Sequence, residues 1–301
     1  MEFNNLMIHI PVLKKEVLSF LKPEPNENFI DATIGEGGHT LAILEKNGPE
    51  GKVLGIDQDL KQIENCELSL KTRFKERIVL VCDNFTNLKN IVKQQKFGPV
   101  SGILLDLGMS SWHLEKSERG FSFRKQESLD MRYKAQNYLT ADKIVNEYSQ
   151  KEIEQILKEY GEERFAKKIS QEIVKTRKAI PIKKTSQLVQ IIKKVVPIWY
   201  QHRKIHFATK TFQALRIAVN DELNNLIKVL PQTIEILKPG GRIVVISFHS
   251  LEDRIVKNFL KQEAQKQVLQ INTKKPIRAD NEEIKINARS RSAKLRAAIK
   301  I

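Results

Sequence analysis

The run Phe29-Ile-Asp-Ala-Thr-Ile-Gly-Glu-Gly-Gly-His39 takes a short apolar segment into three glycines, and a second apolar segment, Val53-Leu-Gly-Ile-Asp57, ends on an acid. Gly35, Gly37 and Gly38 let a backbone turn sharply and come close to a ligand. Asp57 is spaced to accept hydrogen bonds from ribose hydroxyls. A dinucleotide site would want glycine where Thr40 stands, and no P-loop lysine follows the turn. Phosphate binding is disfavoured, and S-adenosylmethionine is the ligand the pattern points to. A third segment, Gly102-Ile-Leu-Leu-Asp-Leu-Gly108, ends on Asp106. An exocyclic base amine is a poor nucleophile because its lone pair is delocalised, and a positioned carboxylate can localise that pair and take the proton. Asp106 suits that task, or it caps the following turn and orients the methionine part of the ligand.

Other candidates cluster at equivalent places. Asp83-Asn84-Phe85 follows Ile78 to Cys82, where Asp83 could accept from an adenine amine while Phe85 packs on the ring, unless Phe85 is ordinary core. Ile246-Ser-Phe-His-Ser-Leu-Glu-Asp-Arg254 gathers His249, Ser250, Asp253 and Arg254 past another apolar run. His249 is a candidate for the chemistry, although Ser250 to Asp253 also fits a helix-capping pattern. Arg119-Gly-Phe-Ser-Phe-Arg124, with Asp130-Met-Arg132 behind it, mixes aromatics and arginines as unpaired bases and phosphates require, or forms a salt-bridged buried loop. His39 and His113 lack carboxylates at ligand spacing, so ligand lining is expected and no metal. Cys66 and Cys82 read as small buried hydrophobes.

The elements that must position these residues are five strand candidates: Asn28 to Ala32, Val53 to Asp57, Ile78 to Cys82, Gly102 to Leu107 and Arg242 to Phe248. Each is followed by a helical pattern, which predicts a parallel sheet with helices on both faces and ligands at the strands' C-terminal ends. Alternation stops between Leu107 and Arg242. There the spacing predicts helices from about Thr140 to Val196, with Thr140 and Ser149 as N-caps and Glu152 completing a capping box. Residues 116–207 are expected to be an inserted helical RNA-binding domain between core segments 1–115 and 208–301. Phe212, Leu215, Val219, Leu223 and Leu226 read as one helical stripe returning to the core, and Pro239-Gly240-Gly241 as the turn into the last strand.

With 41% apolar residues the chain can bury a sizeable core, and its net charge of +16 suggests a polyanionic partner. The charge is uneven. Arg164 to Lys210 holds thirteen Lys or Arg against the one acid Glu172, and Arg289 to Lys300 adds five basic residues with no acid or aromatic. That tail is expected to contact phosphates. No apolar run is long enough to span a membrane and the first residues lack a signal-peptide pattern, so a cytoplasmic protein is expected.

Taken together, Ile34-Gly-Glu-Gly-Gly-His39, Gly102 to Gly108 with Ser110-Ser111, Glu118-Arg-Gly-Phe-Ser-Phe123, Leu129-Asp-Met-Arg132, Tyr160-Gly-Glu-Glu-Arg-Phe-Ala166, Thr211-Phe-Gln-Ala214 and Ser247 to Arg254 closely resemble the RsmH (MraW) family. These are bacterial methyltransferases acting on the N4 amine of a cytidine in the decoding region of 16S ribosomal RNA, and the resemblance covers nearly the whole chain. It implies a Rossmann-like α/β core with an inserted basic helical domain. It also implies S-adenosylmethionine contacts from Gly37, Gly38, His39, Asp57, Phe85 and Asp106, with Gly35 in the same turn. Ser110 joins Asp106 and His249 as a catalytic candidate. Many relatives have glutamine where His113 stands, so His113 is expected at a cofactor position with a different donor pattern. Phe207 and Lys210 stand where relatives often have Pro and Arg. The rival readings are a methyltransferase on another RNA or DNA and a non-catalytic RNA-binding assembly factor. Intact glycines and acids disfavour the latter.

Overall fold

In the computed structural model residues 10–301 are described, so the first nine, where a leader pattern was sought, lie outside the described residues. The chain divides into two compact units: residues up to Met109 with Leu223–Ile301, and Ser110–Glu222.

The first unit holds a seven-stranded sheet of β1 (Asn28–Asp31), β2 (Val53–Asp57), β3 (Ile78–Cys82), β4 (Val100–Asp106), β5 (Leu237–Ser247), β6 (Leu269–Ile271) and β7 (Lys294–Lys300), in the order β3-β2-β1-β4-β5-β7-β6. Strands β1 to β5 pair in parallel, and β7 runs antiparallel to both its neighbours, β5 and β6. This is a doubly wound, Rossmann-like α/β sheet. Side chains alternate between its faces as strand geometry requires. Ile30, Ile103, Leu105, Ile243 and Val245 enter one apolar layer with Leu88, Val229 and Val256, while Phe29, Leu104, Val244 and Ile246 enter the other with Val17, Ile43 and Ile63. Helices therefore cover both faces.

Two strand glycines have a packing reason. A Cβ on Gly102 would come within 2.8 Å of the Phe29 ring, and one on Gly55 within 2.3 Å of Ile34 Cδ1. The bare backbone of Gly55 thus lets Ile34 lie across β2, which seats the turn after β1.

Three expectations need correction. The segment 239–241 does not turn the chain into β5; it lies inside β5 as an irregularity, with Val100 opposite Leu237 and Gly102 opposite Arg242. The stripe from Phe212 to Leu226 is two helices, Thr209–Asn220 and Glu222–Ile236, broken at Asp221, whose φ of 51° lies in the left-handed region. The basic tail is in part a strand: Lys294–Lys300 form β7, where Arg296 is buried and donates to Asp253 at 2.7 Å, Lys294 lies 3.5 Å from Asp253, and Lys300 donates to the carbonyls of Ile234 and Leu237, which leaves Arg289 and Arg291 as the tail's cations outside the strand. Burial opposes the charge on Asp253, but Arg296 and Lys294 outweigh it and hold its carboxyl below the usual range. Cys66 is buried as expected, whereas Cys82, at the end of a sheet-edge strand, is exposed.

The second unit is helical. Thr140 accepts from the Lys143 N–H at 3.1 Å, and Ser149 and Glu152 form the expected capping box over Gln150–Glu159. The helices Ala166–Arg177, Thr185–Val195 and Ile198–Gln201 follow. Two motifs lock together here. Gln213 donates to the Tyr160 carbonyl at 3.0 Å, and a Cβ on Gly161 would stand 2.7 Å from the carbonyls of Leu157 and Lys210.

Candidate functional site

The strand order reverses direction between β1 and β4, the point at which an open α/β sheet leaves a crevice beyond its strand ends. What the chain places there follows from register. Asp31, Asp57 and Asp106 are the last residues of β1, β2 and β4. The turn after β1 is held by backbone bonds from Ile34 to the Ile56 carbonyl at 2.9 Å and from Gly37 to the Ile34 carbonyl at 2.8 Å. Gly35 and Gly37 have φ of 49° and 79°, where a side chain would be strained. A Cβ on Gly37 would also approach Leu70 Cδ1 to 2.8 Å and Cys66 Sγ to 3.2 Å, so glycine is needed there for packing as well as for the turn. Gly38 opens the helix Gly38–Leu44, which carries His39 and Thr40.

Asp57 joins strand to turn. Its Oδ2 accepts from the Gly35 N–H at 3.0 Å and its Oδ1 from the Asp59 N–H at 2.9 Å. Asp106 is tied to the same turn through its own N–H, which donates to Thr33 Oγ1 at 2.7 Å. Its Oδ2 lies 3.6 Å from His39 Nε2. Its Oδ1 is buried with no hydrogen-bond partner, and so are both ring nitrogens of His39. Buried polar atoms left this way carry a desolvation cost of about 1–3 kcal/mol each unless a partner arrives. The pair is therefore built for a polar ligand.

Asp31 belongs to this cluster, and the sequence reading gave it no role. It is almost fully buried, accepting from Thr40 Oγ1 at 2.8 Å and from the Thr33 N–H at 3.3 Å. Burial, eased by His39 and Thr40 and reinforced by the charge of Asp106, pushes its carboxyl up to about 6. The available signal was positional: Asp31 ends its strand as Asp57 and Asp106 end theirs, and Thr40 fills the missing glycine position. Burial and the nearby acids Asp31, Asp57 and Glu36 also push the Cys66 thiol up to about 12, which leaves it inert as a nucleophile.

The corner after β3 is self-contained. Asp83 accepts from the Asn84 N–H at 2.7 Å and from Asn87 Nδ2 at 3.1 Å, and Phe85 packs against the apolar layer while remaining half-buried. His249 is an N-cap. It, and not Ser250, precedes the helix Ser250–Gln265, and Glu252 replaces Asp253 as its capping partner. Glu252 Oε2 accepts from the Phe248 N–H at 2.8 Å and Glu252 Oε1 lies 3.2 Å from His249 Nε2.

Ser110 and His113 fall in the second unit, bonded to one another. Ser110 Oγ is 3.0 Å from His113 Nδ1, which also accepts from the Ser110 N–H at 3.3 Å. The imidazole thus fills the place of glutamine in a capping box over Ser111–Glu115, its ring edge-on to Phe121 and Tyr133 at about 5 Å. The Arg119 to Arg132 segment takes the internal reading. Arg119 donates to the Tyr133 carbonyl at 2.9 Å, Phe121 stacks on Tyr133, and Arg132 pairs with Asp130 through two bonds of 2.8 and 2.7 Å. Burial opposes ionisation of Asp130, but Arg132 holds its carboxyl below the usual range.

Residues 6–301 match the model of the MraW methylase family. The chain belongs to that family. The methylase is 46% identical to the ribosomal RNA small subunit methyltransferase H of Heliobacterium mobile, with all of both chains covered. It is 47% identical to the protein of the same name from Persephonella marina, covering 97% of this chain and 99% of that one. Among solved structures it is similar to an rRNA methylase from Streptococcus thermophilus, at 11% identity, 95% coverage of each chain and a TM-score of 0.45. It is an enzyme, and S-adenosylmethionine is its methyl donor. The site fits that donor. A cationic sulfonium and ammonium suit strands that end on Asp57 and Asp106, and His39 and Asp106 hold unused polar atoms for it.

Proposed function

We propose that this methylase transfers the methyl group to the N4 amine of a cytidine in the decoding region of 16S ribosomal RNA, working in the cytoplasm on RNA of the small ribosomal subunit. The names of its full-length relatives support the substrate. Among the described residues no helix is long and apolar enough to cross a membrane. The observation that carries the chemistry is Asp106, whose buried Oδ1 has no partner at the sheet's switch point.

S-adenosylmethionine, when bound, supplies a methyl group made electrophilic by the positive sulfur. Asp57 accepts from its ribose hydroxyls, the Gly35 to Gly38 turn leaves room for its backbone approach, and Phe85 with Asp83 meets its adenine. His39 and Asp106 take its methionine part. Asp106 then has a second duty toward the target base. Accepting the hydrogen bond of the N4 amine localises the nitrogen lone pair, and the same carboxylate receives the proton that the methylated nitrogen sheds. His39 Nε2, 3.6 Å from that carboxylate and outside hydrogen-bond range, faces the same ligand. The cytosine must leave its stack for the amine to reach Asp106, because in a helix that amine is engaged in pairing.

The test is methyl transfer from labelled donor to small subunits of cells lacking the enzyme, with naked 16S RNA and DNA in parallel, read by nucleoside mass spectrometry. N4-methylcytidine in subunit RNA is expected. A label at carbon-5, on adenine or in DNA alone would overturn the reading.

A further inference from the structure

The second unit exposes an aromatic and basic surface that the methyl-transfer chemistry leaves unused. Trp199 is 52% exposed and its neighbour Ile198 is 72% exposed, both on the one-turn helix Ile198–Gln201 that Pro197 opens. The surface is rigid beneath. Tyr200 is buried, and its hydroxyl donates to the carboxylate of the equally buried Glu163, 3.0 Å from both oxygens. Glu163 also accepts from the Phe165 N–H at 2.9 Å. Phe165 in turn packs edge-on to Tyr200 at 4.9 Å and tilts against Trp199 at 6.1 Å.

Two arginines complete it. The Arg164 guanidinium lies 5.5 Å from the Trp199 ring centre and that of Arg203 lies 5.2 Å from Tyr200. Both arginines are exposed, and neither has a carboxylate partner among the described residues. The buried acid beneath, Glu163, is committed to Tyr200, and Glu172, the one acid of the basic run, pairs with Lys194 at 2.6 Å. An indole held half in solvent beside one unpaired guanidinium, with a second over the next ring, in a segment with thirteen basic residues and one acid, is a stacking platform inside a positive field. An acidic protein surface would satisfy the arginines but leave the indole without a flat partner, whereas a nucleotide supplies a π-face and a phosphate together.

We infer that Trp199, with Arg164 over its ring and Arg203 over the adjoining Tyr200, is a docking platform for an unpaired base of the substrate RNA, with the two guanidinium groups on the neighbouring phosphates. The inference rests on the RNA reading above and adds a contact outside the methyl-transfer site.

The experiment measures the full-length protein and its Trp199→Ala and Trp199→Phe variants against a labelled single-stranded RNA of decoding-region sequence, a duplex of the same length, and assembled subunits. Thermal melting and calorimetric binding of S-adenosylmethionine serve as controls. Trp199→Ala is expected to weaken single-stranded RNA binding about tenfold and leave duplex and donor binding unchanged, while Trp199→Phe keeps most of the affinity because a π-face remains. Photocrosslinking of thio-substituted RNA to the wild-type chain should label the peptide bearing Trp199, which covers the case of a variant that does not fold. Unchanged RNA affinity in a folded Trp199→Ala protein overturns the platform. So does a loss confined to assembled subunits, which would assign the surface to a ribosomal protein. Wild-type protein that binds and methylates no RNA would instead overturn the RNA reading itself.

Discussion

Asp106 and Asp31 end adjacent strands within one cluster, yet their surroundings suit different work. Asp106 keeps one buried oxygen unpartnered, while Asp31 is fully used by Thr40 and the Thr33 N–H. If Asp106 accepts the amine proton, Asp106→Asn should keep its melting temperature and bind S-adenosylmethionine within a few-fold, yet lose about 10²- to 10⁴-fold in kcat. Wild-type turnover in a folded mutant would remove Asp106 from the chemistry. The raised carboxyl of Asp31 acts on stability instead: the folded chain holds that proton up to about 6 against an ordinary value of 3.8, so this contribution to stability is fully present below 3.8 and lost as pH rises through 6. Asp31→Asn should therefore flatten the fall in melting temperature between pH 4 and pH 7, and an unchanged slope would show that the group titrates normally. Asp57 and Asp106 were legible in the sequence because each ends an apolar run beside glycines. Asp31 ends such a run too, but nothing local marks it as buried, because its burial depends on β2 and β4 closing over β1 from distant parts of the chain.

At the scale of elements, what periodicity could reveal was the parallel half of the sheet. The strands β1 to β5 announce themselves as apolar runs because both faces are covered. β7 does not, since Lys294-Leu-Arg-Ala-Ala-Ile-Lys300 reads as a basic tail until Asp253 and the carbonyls of Ile234 and Leu237 absorb its charges. The irregularity in β5 hid for a similar reason: Pro-Gly-Gly signals a turn, and only pairing with β4 on both sides keeps it within the strand. Just beyond it, Arg242 clamps the segment before β1, donating to Glu27 at 2.9 and 3.1 Å and to the Leu21 carbonyl at 2.7 Å, with Lys238 joining Glu27 at 3.0 Å. Burial works against the charge on Glu27, but Arg242 and Lys238 prevail and hold its carboxyl at about 2 instead of 4.5. A depressed carboxyl contributes stability above 4.5 that disappears as pH falls to 2. Glu27→Gln should thus melt below wild type at pH 7, and the gap should close as pH approaches 2. A gap that persists in acid would mean the loss is steric and not electrostatic.

For the molecule as a whole, charge and chemistry are divided between the two units. The first unit gathers carboxylates at its strand ends, and the second carries the densest run of lysine and arginine in a chain of net charge +16. Sequence composition exposed that division plainly, because Lys and Arg excess is local and needs no fold to be counted. It did not say which cations are spent internally, as Lys194 is on Glu172 and Arg177 is on the Val145 carbonyl. Lys167 and Lys168, at the start of the helix Ala166–Arg177, are exposed and bear no ion pair among the described residues. If such lysines hold RNA by displacing its counterions, affinity must fall with salt in proportion to the phosphates neutralised, with a slope of about −0.7 per contact for single strands. Some six contacts would cost about 300-fold between 50 and 200 mM salt. Replacing both lysines by glutamine should make the slope shallower by about one to one and a half and leave the turnover of saturating RNA unchanged. Binding of S-adenosylmethionine, if the strand-end carboxylates of the other unit hold it as proposed, should barely respond to salt. RNA affinity that is equally indifferent to salt would mean that the positive field does not hold the substrate, and that the excess of lysine in the second unit serves another purpose.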